Sequence, residues 1–297
     1  MKKELFEKIS ALCPARENVS MAEHTSFRCG RDAAIFAEPA DEQQLAGLLA
    51  LLRSEGVPYI FLGNGSNVLF ASYYDGVVVK IGRAFSGIER DGCFITAGAG
   101  APLSRVSRFA ASEGLSGMEG ACGIPGSLGG AVFMNAGAYG FEMKQVLRRV
   151  RLMAPDGSVF ERGADELELG YRHSALMDSG ELVLSARMEL VPGERSAIEA
   201  VMDDLSARRV SKQPVDLPSA GSFFKRPEGY FAGKLIEDCG LKGVSVGGAQ
   251  VSPLHAGFIV NTGDADVSDV IKLMHIVQES VMHRFGVMLE PEVRIIG

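Results

Sequence analysis

Between residues 41 and 56 apolar positions recur at helical spacing: Leu45, Leu48, Leu49 and Leu52 share one face, Asp41 stands where an N-cap acceptor is needed, and Gly56 supplies a stop. The pattern then changes period. Residues 57–62 are apolar and predict a buried strand, residues 77–81 predict a second, and Gly63-Asn64-Gly65-Ser66-Asn67 lies on the loop between them. Residues 94–97 form a further short strand, after which Pro102 opens a helix with Leu103, Val106 and Phe109 on one side and Gly114 beyond its end. A hairpin is expected around Pro155-Asp156-Gly157, between strands at 150–153 and 158–161, followed by a strand at 182–190. A helix over 196–209 ends in the basic, proline-broken run Arg208-Arg209-Val210-Ser211-Lys212-Gln213-Pro214, which marks a domain boundary.

The last part of the chain begins with a strand-like segment at 222–225. It continues to a long helix at 268–285, with Ile271, Met274, Val277 and Val281 at helical spacing and Gly286 as its stop. A final strand is expected over 287–296, where Glu290, Glu292 and Arg294 alternate with Leu289, Val293 and Ile295, giving one charged and one buried face. Mixed strands and helices without a repeating βαβ rhythm make the fold class α+β.

The 297 residues suffice for more than one core. A formal net charge of −7 argues against a nucleic-acid partner, because any anionic ligand must be received by a local basic cluster. No apolar run approaches the roughly 20 residues of a membrane span, and Glu4 and Glu7 fall inside what would be a signal peptide's apolar core. Cys13, Cys29, Cys93, Cys122 and Cys239 are scattered without ligand spacing, so reduced thiols, a cytoplasmic setting and no metal are expected.

Of the 36 glycines, the densest group lies at 117–140, which reads GMEGACGIPGSLGGAVFMNAGAYG and must lay backbone against something. The loop at 63–67 suits a phosphate, since consecutive N–H groups can converge on an anion, although an ordinary inter-strand turn uses the same residues. Familiar nucleotide fingerprints are absent. GxGxxG fails twice, at Val68 after Gly63-Asn64-Gly65 and at Leu103 after Gly98-Ala99-Gly100. The P-loop fails because Leu235 follows Gly233-Lys234 and Glu228 occupies the first glycine's place.

The chain nonetheless resembles a family. Gly123-Ile124-Pro125-Gly126-Ser127-Leu128-Gly129-Gly130, then Asn135-Ala136-Gly137-Ala138-Tyr139-Gly140, preceded by the 63–67 loop, is similar to the UDP-N-acetylenolpyruvoylglucosamine reductases. Further motifs follow in order over most of the chain: Thr25-Ser26-Phe27-Arg28, Tyr171-Arg172-His173-Ser174, Ser219-Ala220-Gly221-Ser222-Phe223-Phe224-Lys225, Gly248-Ala249-Gln250-Val251 and Leu289-Glu290-Pro291-Glu292-Val293-Arg294. The short stretch between Arg172 and Ser222 resembles the shorter type, without a tyrosine loop. The resemblance implies a vanillyl-alcohol-oxidase-like, two-subdomain FAD-binding fold plus a C-terminal α+β substrate-binding domain. The expected division is 1–85 and 86–208 for the two FAD subdomains, 209–285 for substrate and 286–297 for a C-terminal strand carrying a catalytic glutamate.

By the same resemblance FAD is bound by Gly63, Asn64, Gly65, Ser66, Asn67, Gly123, Ile124, Pro125, Gly126, Ser127, Gly130, Ala131, Asn135 and Gly137, with NADPH as reductant. The implied catalytic set is Arg172, Ser222 and Glu292. Hydride arriving at the terminal enolpyruvyl carbon drives negative charge toward the carboxylate, which a fixed guanidinium holds. Glu292 would hydrogen-bond the same region, and its protonation state decides whether it helps. Ser222 would then donate the proton, with Lys225 or Arg172 stabilising its oxyanion and Phe223 and Phe224 excluding water. Lys212, Lys225, Arg226 and Gln250, with Arg209 beside them, are candidates to receive the substrate diphosphate. A monomer acting on small molecules is expected. An oxidase on the same scaffold would share the glycine motifs, and a non-catalytic flavin module would leave Ser222 and Glu292 structural.

Overall fold

The computed structural model describes residues 2–297. The described chain divides into two compact units that are not consecutive stretches: residues 2–17, 35–64 and 75–207 in the first, and residues 18–34, 65–74 and 208–297 in the second.

In the first unit, Asp41 caps helix Glu42–Ser54 by accepting from the Gln44 N–H at 2.8 Å, and Leu45, Leu48, Leu49 and Leu52 are all fully buried. A four-stranded sheet runs in the order Ala15–Ser20, Asp32–Ala37, Tyr74–Lys80, Tyr59–Leu62, its last two strands parallel. The strand expected to be buried at 57–62 is instead an edge strand, Tyr59–Leu62. Of its four residues only Leu62 is buried, and among the described residues no strand pairs with its outer side. Val77, Val78 and Val79 of the central strand are fully buried, as a strand covered on both faces requires. A five-stranded antiparallel sheet completes the unit in the order Val159–Gly163, Leu147–Met153, Leu182–Glu189, Phe94–Gly98, Ile88–Asp91. Its first two strands are the expected hairpin. Helix Leu103–Ser112 begins after Pro102 and stops at Gly114, whose φ of +66° is left-handed.

The second unit holds an antiparallel sheet, Ser219–Ser222, Phe258–Asn261, Ala249–Val251, Ser245–Val246. Helix Val267–Phe285 covers a core that includes Val270, Leu273, Val277, Phe223, Leu69 and Leu289. Asp266 caps this helix and Gly286, at φ +69°, ends it. Two sequence expectations shift. The strand expected at 222–225 stops at Ser222, and Phe223 and Phe224 turn into the core at 0% and 3% exposure. The final strand is only Arg294–Ile296, parallel to Val68–Phe70, so Glu292 precedes it rather than standing on it. Pro291 lacks an N–H and interrupts the ladder. The alternation survives without the strand: Leu289 and Val293 remain buried.

Histidine 255 ties this unit to pH. The Gly257 N–H donates to His255 Nδ1 at 3.1 Å, so the imidazole is neutral with its proton on Nε2. Burial holds its pKa below histidine's ordinary range, with Lys242 acting in the same direction and Glu237 against it. Below about pH 6.5 the unfolded chain binds a proton that the folded chain refuses, so His255 contributes stability above that pH and loses it as pH falls. Urea midpoints of the chain and of His255→Gln, compared between pH 7 and pH 5, should converge on acidification. A constant difference would show that His255 does not titrate in the fold.

Among the described residues no helix is long and apolar enough to cross a membrane, and no group of three or more His, Cys, Asp or Glu side chains could hold a metal ion.

Candidate functional site

In the first unit the glycine motifs converge through backbone contacts that leave no room for side chains. A Cβ on Gly63 would fall 2.2 Å from the Ser127 hydroxyl, so the start of the 63–67 loop lies on the middle of the 123–130 motif. That motif in turn lies on residues 99–103. The Leu103 N–H donates to Gly126 O at 3.0 Å, the Leu128 N–H to Ala101 O at 2.8 Å and the Gly129 N–H to Ala99 O at 2.8 Å. Gly98 and Gly100 belong in the sequence to an incomplete GxGxxG pattern. A Cβ on either would stand 2.1 or 2.0 Å from the carbonyl oxygen of Phe85 or Gly82, so they seat the strand that supports the motif. Ser127 is 2% exposed, whereas Pro125 and Gly130 are exposed and Gly123, Ile124 and Gly126 are half-buried, so one edge of the motif faces outward. Ala131 is buried on the short helix Leu128–Phe133.

The second glycine motif holds Arg172. Asn135 is fully buried with a φ of +41°; its side chain donates to Gly170 O at 2.8 Å and accepts from the Lys144 N–H at 2.9 Å. Ser174 donates to Phe133 O at 2.6 Å, and the tight Gly170–His173 bridge carries Arg172 at its tip with φ +51°. Arginine has no conformational reason to adopt that region, so the turn is imposed on it by these bonds. The guanidinium donates to Gly137 O at 3.0 Å and stands over the Tyr171 ring, 5.2 Å from its centroid. Arg172 and the 135–137 backbone are therefore one assembly.

In the second unit, Gly65 has φ +63° and a Cβ there would meet His24 O at 2.2 Å, while the Ser26 N–H donates to Gly65 O. The Thr25-Ser26-Phe27-Arg28 motif thus seats the second half of the loop and is itself anchored: Ser26 Oγ donates to Ser219 O at 2.7 Å, and Asn261 Nδ2 donates to Phe27 O and Arg28 O. Ser222 is exposed at the end of strand Ser219–Ser222. The next residue joins it to Glu292, because the Glu292 N–H donates to Phe223 O at 2.8 Å and Phe224 bridges Pro291. Asn67 Nδ2 also donates to Glu292 O at 3.1 Å. Ser222, Glu292 and Asn67 are thereby brought together, while Arg172 belongs to the first unit. Phe223 and Phe224 anchor this junction from the core.

The proposed diphosphate ligands are placed less uniformly. Lys225 and Arg226 directly follow the junction. Lys225 pairs with Glu290 at 3.2 Å on the surface, and the Arg226 guanidinium lies 4.2 Å from the Phe231 ring centroid. Gln250 gives its amide to Gly243 O and Ser245 Oγ, stabilising the hairpin of its own strand, and Lys212 is exposed at the end of helix Arg195–Lys212.

Residues 33–163 match the FAD binding domain family, and residues 213–296 match the family described as UDP-N-acetylenolpyruvoylglucosamine reductase, C-terminal domain. A crystal structure of UDP-N-acetylenolpyruvylglucosamine reductase from Thermus caldophilus is similar at TM-score 0.84 and 34% identity, over 96% of this chain and 100% of that one. Berberine bridge enzyme shares the fold alone, at TM-score 0.50 and 10% identity over 66% of this chain and 44% of that one. The outward edge of the 123–130 motif, where Gly123, Ile124 and Gly126 are half-buried and Pro125 and Gly130 exposed, leaves backbone open to a cofactor, and the protein is an FAD-containing oxidoreductase of vanillyl-alcohol-oxidase-like fold. Within that class, the UDP-N-acetylenolpyruvoylglucosamine reductase of Clostridioides difficile (strain 630) is 47% identical over 278 residues, covering 93% of this chain and 91% of the relative. The chain belongs to the UDP-N-acetylenolpyruvoylglucosamine reductase family.

Proposed function

We propose that the enzyme uses NADPH to reduce UDP-N-acetylglucosamine enolpyruvate to UDP-N-acetylmuramate, for peptidoglycan precursor synthesis, as a cytoplasmic monomer with Arg172, Ser222 and Glu292 as its catalytic residues. Beyond family membership, the observation that supports it most is the junction at Phe223, which joins the Ser222 and Glu292 backbones through the 2.8 Å bond from the Glu292 N–H.

FAD, which residues 63–67 and 123–137 would hold, would supply the two-electron hydride chemistry between NADPH and the terminal enolpyruvyl carbon. Arg172 pairs with the enolpyruvyl carboxylate, and its fork of N–H donors binds the charge that develops there more tightly than the resting carboxylate. Ser222 Oγ gives its proton to the carbon bearing that carboxylate, which completes the lactyl ether. A serine hydroxyl is a weak acid, so a cation must stabilise the oxyanion it leaves. Lys225 is available at small cost, because its pair with Glu290 is exposed, 44% and 72% by side chain, and such pairs contribute only about 0–1 kcal/mol. Glu292 Oε hydrogen-bonds the same region.

Anaerobic absorbance tests the whole scheme. NADPH should bleach the flavin, and one equivalent of UDP-N-acetylglucosamine enolpyruvate should restore the oxidised spectrum. A bleached flavin that ignores this substrate and recovers only with oxygen would mark an oxidase on the same scaffold.

A further inference from the structure

Lys80 ends the central strand Tyr74–Lys80 of the first unit, and its ammonium donates to the carbonyl of Gly63, the first residue of the 63–67 loop, at 2.5 Å. That carbonyl is its hydrogen-bond partner among the described residues, and no carboxylate pairs with it. Glu38, whose charge acts on it, is engaged by Arg16 at 3.5 Å. Lysine is seldom taken out of water without a counter-ion, because the desolvated ammonium loses strongly favourable hydration. Here the cation is half-buried and burial pushes its pKa below lysine's ordinary range. Yet the protein carries 37 acidic residues against 30 Lys and Arg, so carboxylates are not scarce. An ammonium also has three N–H donors, and a single carbonyl leaves two of them for another acceptor. The Gly63 peptide that it holds is the one pressed against the Ser127 hydroxyl, where the two motifs meet.

We propose that Lys80 is a cofactor-binding residue, the half-buried counter-cation of the FAD diphosphate, which holds the Gly63 turn with one N–H and offers its remaining charge to phosphate oxygens. The assignment rests on the 63–67 loop being the diphosphate loop. A lysine that merely staples the turn would stabilise the chain with and without flavin. A counter-cation waiting for an anion instead burdens the flavin-free chain and is relieved on binding.

Lys80→Met separates the two, since it keeps the length of the side chain and removes the charge. The flavin is stripped from the full-length protein, FAD is titrated back by quenching of its fluorescence, and urea midpoints are measured without flavin. Loss of a charge-assisted contact should weaken FAD binding roughly 10- to 100-fold, while the flavin-free variant unfolds at the same or a higher urea concentration than the parent. FAD affinity within twofold of the parent overturns the proposal. So does a flavin-free variant that is itself destabilised, because the lysine then serves the turn. Asn64→Ala and Ser66→Ala give the control on the loop. If they weaken FAD binding while Lys80→Met does not, only the lysine's role is lost, and if none of the three matters, the loop assignment falls as well.

Discussion

Replacing Ser222 with alanine should slow reduction of the enolpyruvyl substrate by at least roughly 10²–10⁴-fold, the range for a positioned proton donor, while NADPH still bleaches the flavin at the parent rate. The two half-reactions divide the protein's duties, and Ser222 is assigned to only one of them. Its backbone is fixed from behind: Phe223 and Phe224 are core residues, and Phe223 N–H donates to Gly257 O at 2.8 Å. The hydroxyl itself is exposed, so its removal leaves no buried donor unsatisfied and should change stability by less than about 0.5 kcal/mol. Stopped-flow absorbance resolves the outcome, following bleaching and substrate-driven recovery separately. Ser222→Cys, which retains an ionisable proton, should recover part of the loss. Recovery at the parent rate in Ser222→Ala would sink the proton-donor role, and slowed bleaching would point to a disturbed flavin site instead.

The elements that sequence reading located well are those with a complete local signal. Helix Glu42–Ser54 had an N-cap, a four-leucine face and a glycine stop, and helix Val267–Phe285 had its spacing and Gly286; both stand where the pattern put them. Residues 287–296 misled because period-two alternation reports which side chains are buried, not whether the backbone is paired. Leu289 and Val293 are buried as the pattern requires, but Pro291 and the bond from the Glu292 N–H to Phe223 O replace a ladder until Arg294. Edge position was equally invisible for Tyr59–Leu62, since an apolar run does not say whether a neighbour will pair on its outer side.

The site was legible as motifs and illegible as contacts. Glycine clusters announced close backbone approach without naming the partner, and only the fold shows that Gly63 meets Ser127 whereas Gly65 meets His24. Lys80 gave no signal at all, because a lysine at the end of a strand is usually solvated, and its significance comes from a carbonyl 17 residues away. The family's motif order suggested the roles proposed for Arg172, Ser222 and Glu292, which local pattern could not do. Structure adds the physical reason that the first of these can be rigid.

Arg172→Lys should lower kcat/KM by roughly 10²–10³-fold, as expected when a fixed donor aimed at developing charge is lost, with FAD still bound. Lysine keeps the charge but replaces a planar fork by a single flexible ammonium, so it cannot pair with both carboxylate oxygens at once. The position is also conformationally demanding: φ is +51°, its flanks held by the bonds from Asn135 to Gly170 O and from Ser174 to Phe133 O, and lysine meets the same constraint as arginine. Strain is therefore equal in the two chains and the comparison isolates the guanidinium. Because Arg172 also donates to Gly137 O within the second glycine motif, a purely structural arginine would show itself through weaker FAD binding or an altered flavin spectrum. Slow substrate-driven recovery with unchanged flavin affinity and spectrum would assign Arg172 to the carboxylate. An equal loss in flavin affinity and turnover would make it a strut of the flavin site, leaving the charge that develops on the substrate to another donor.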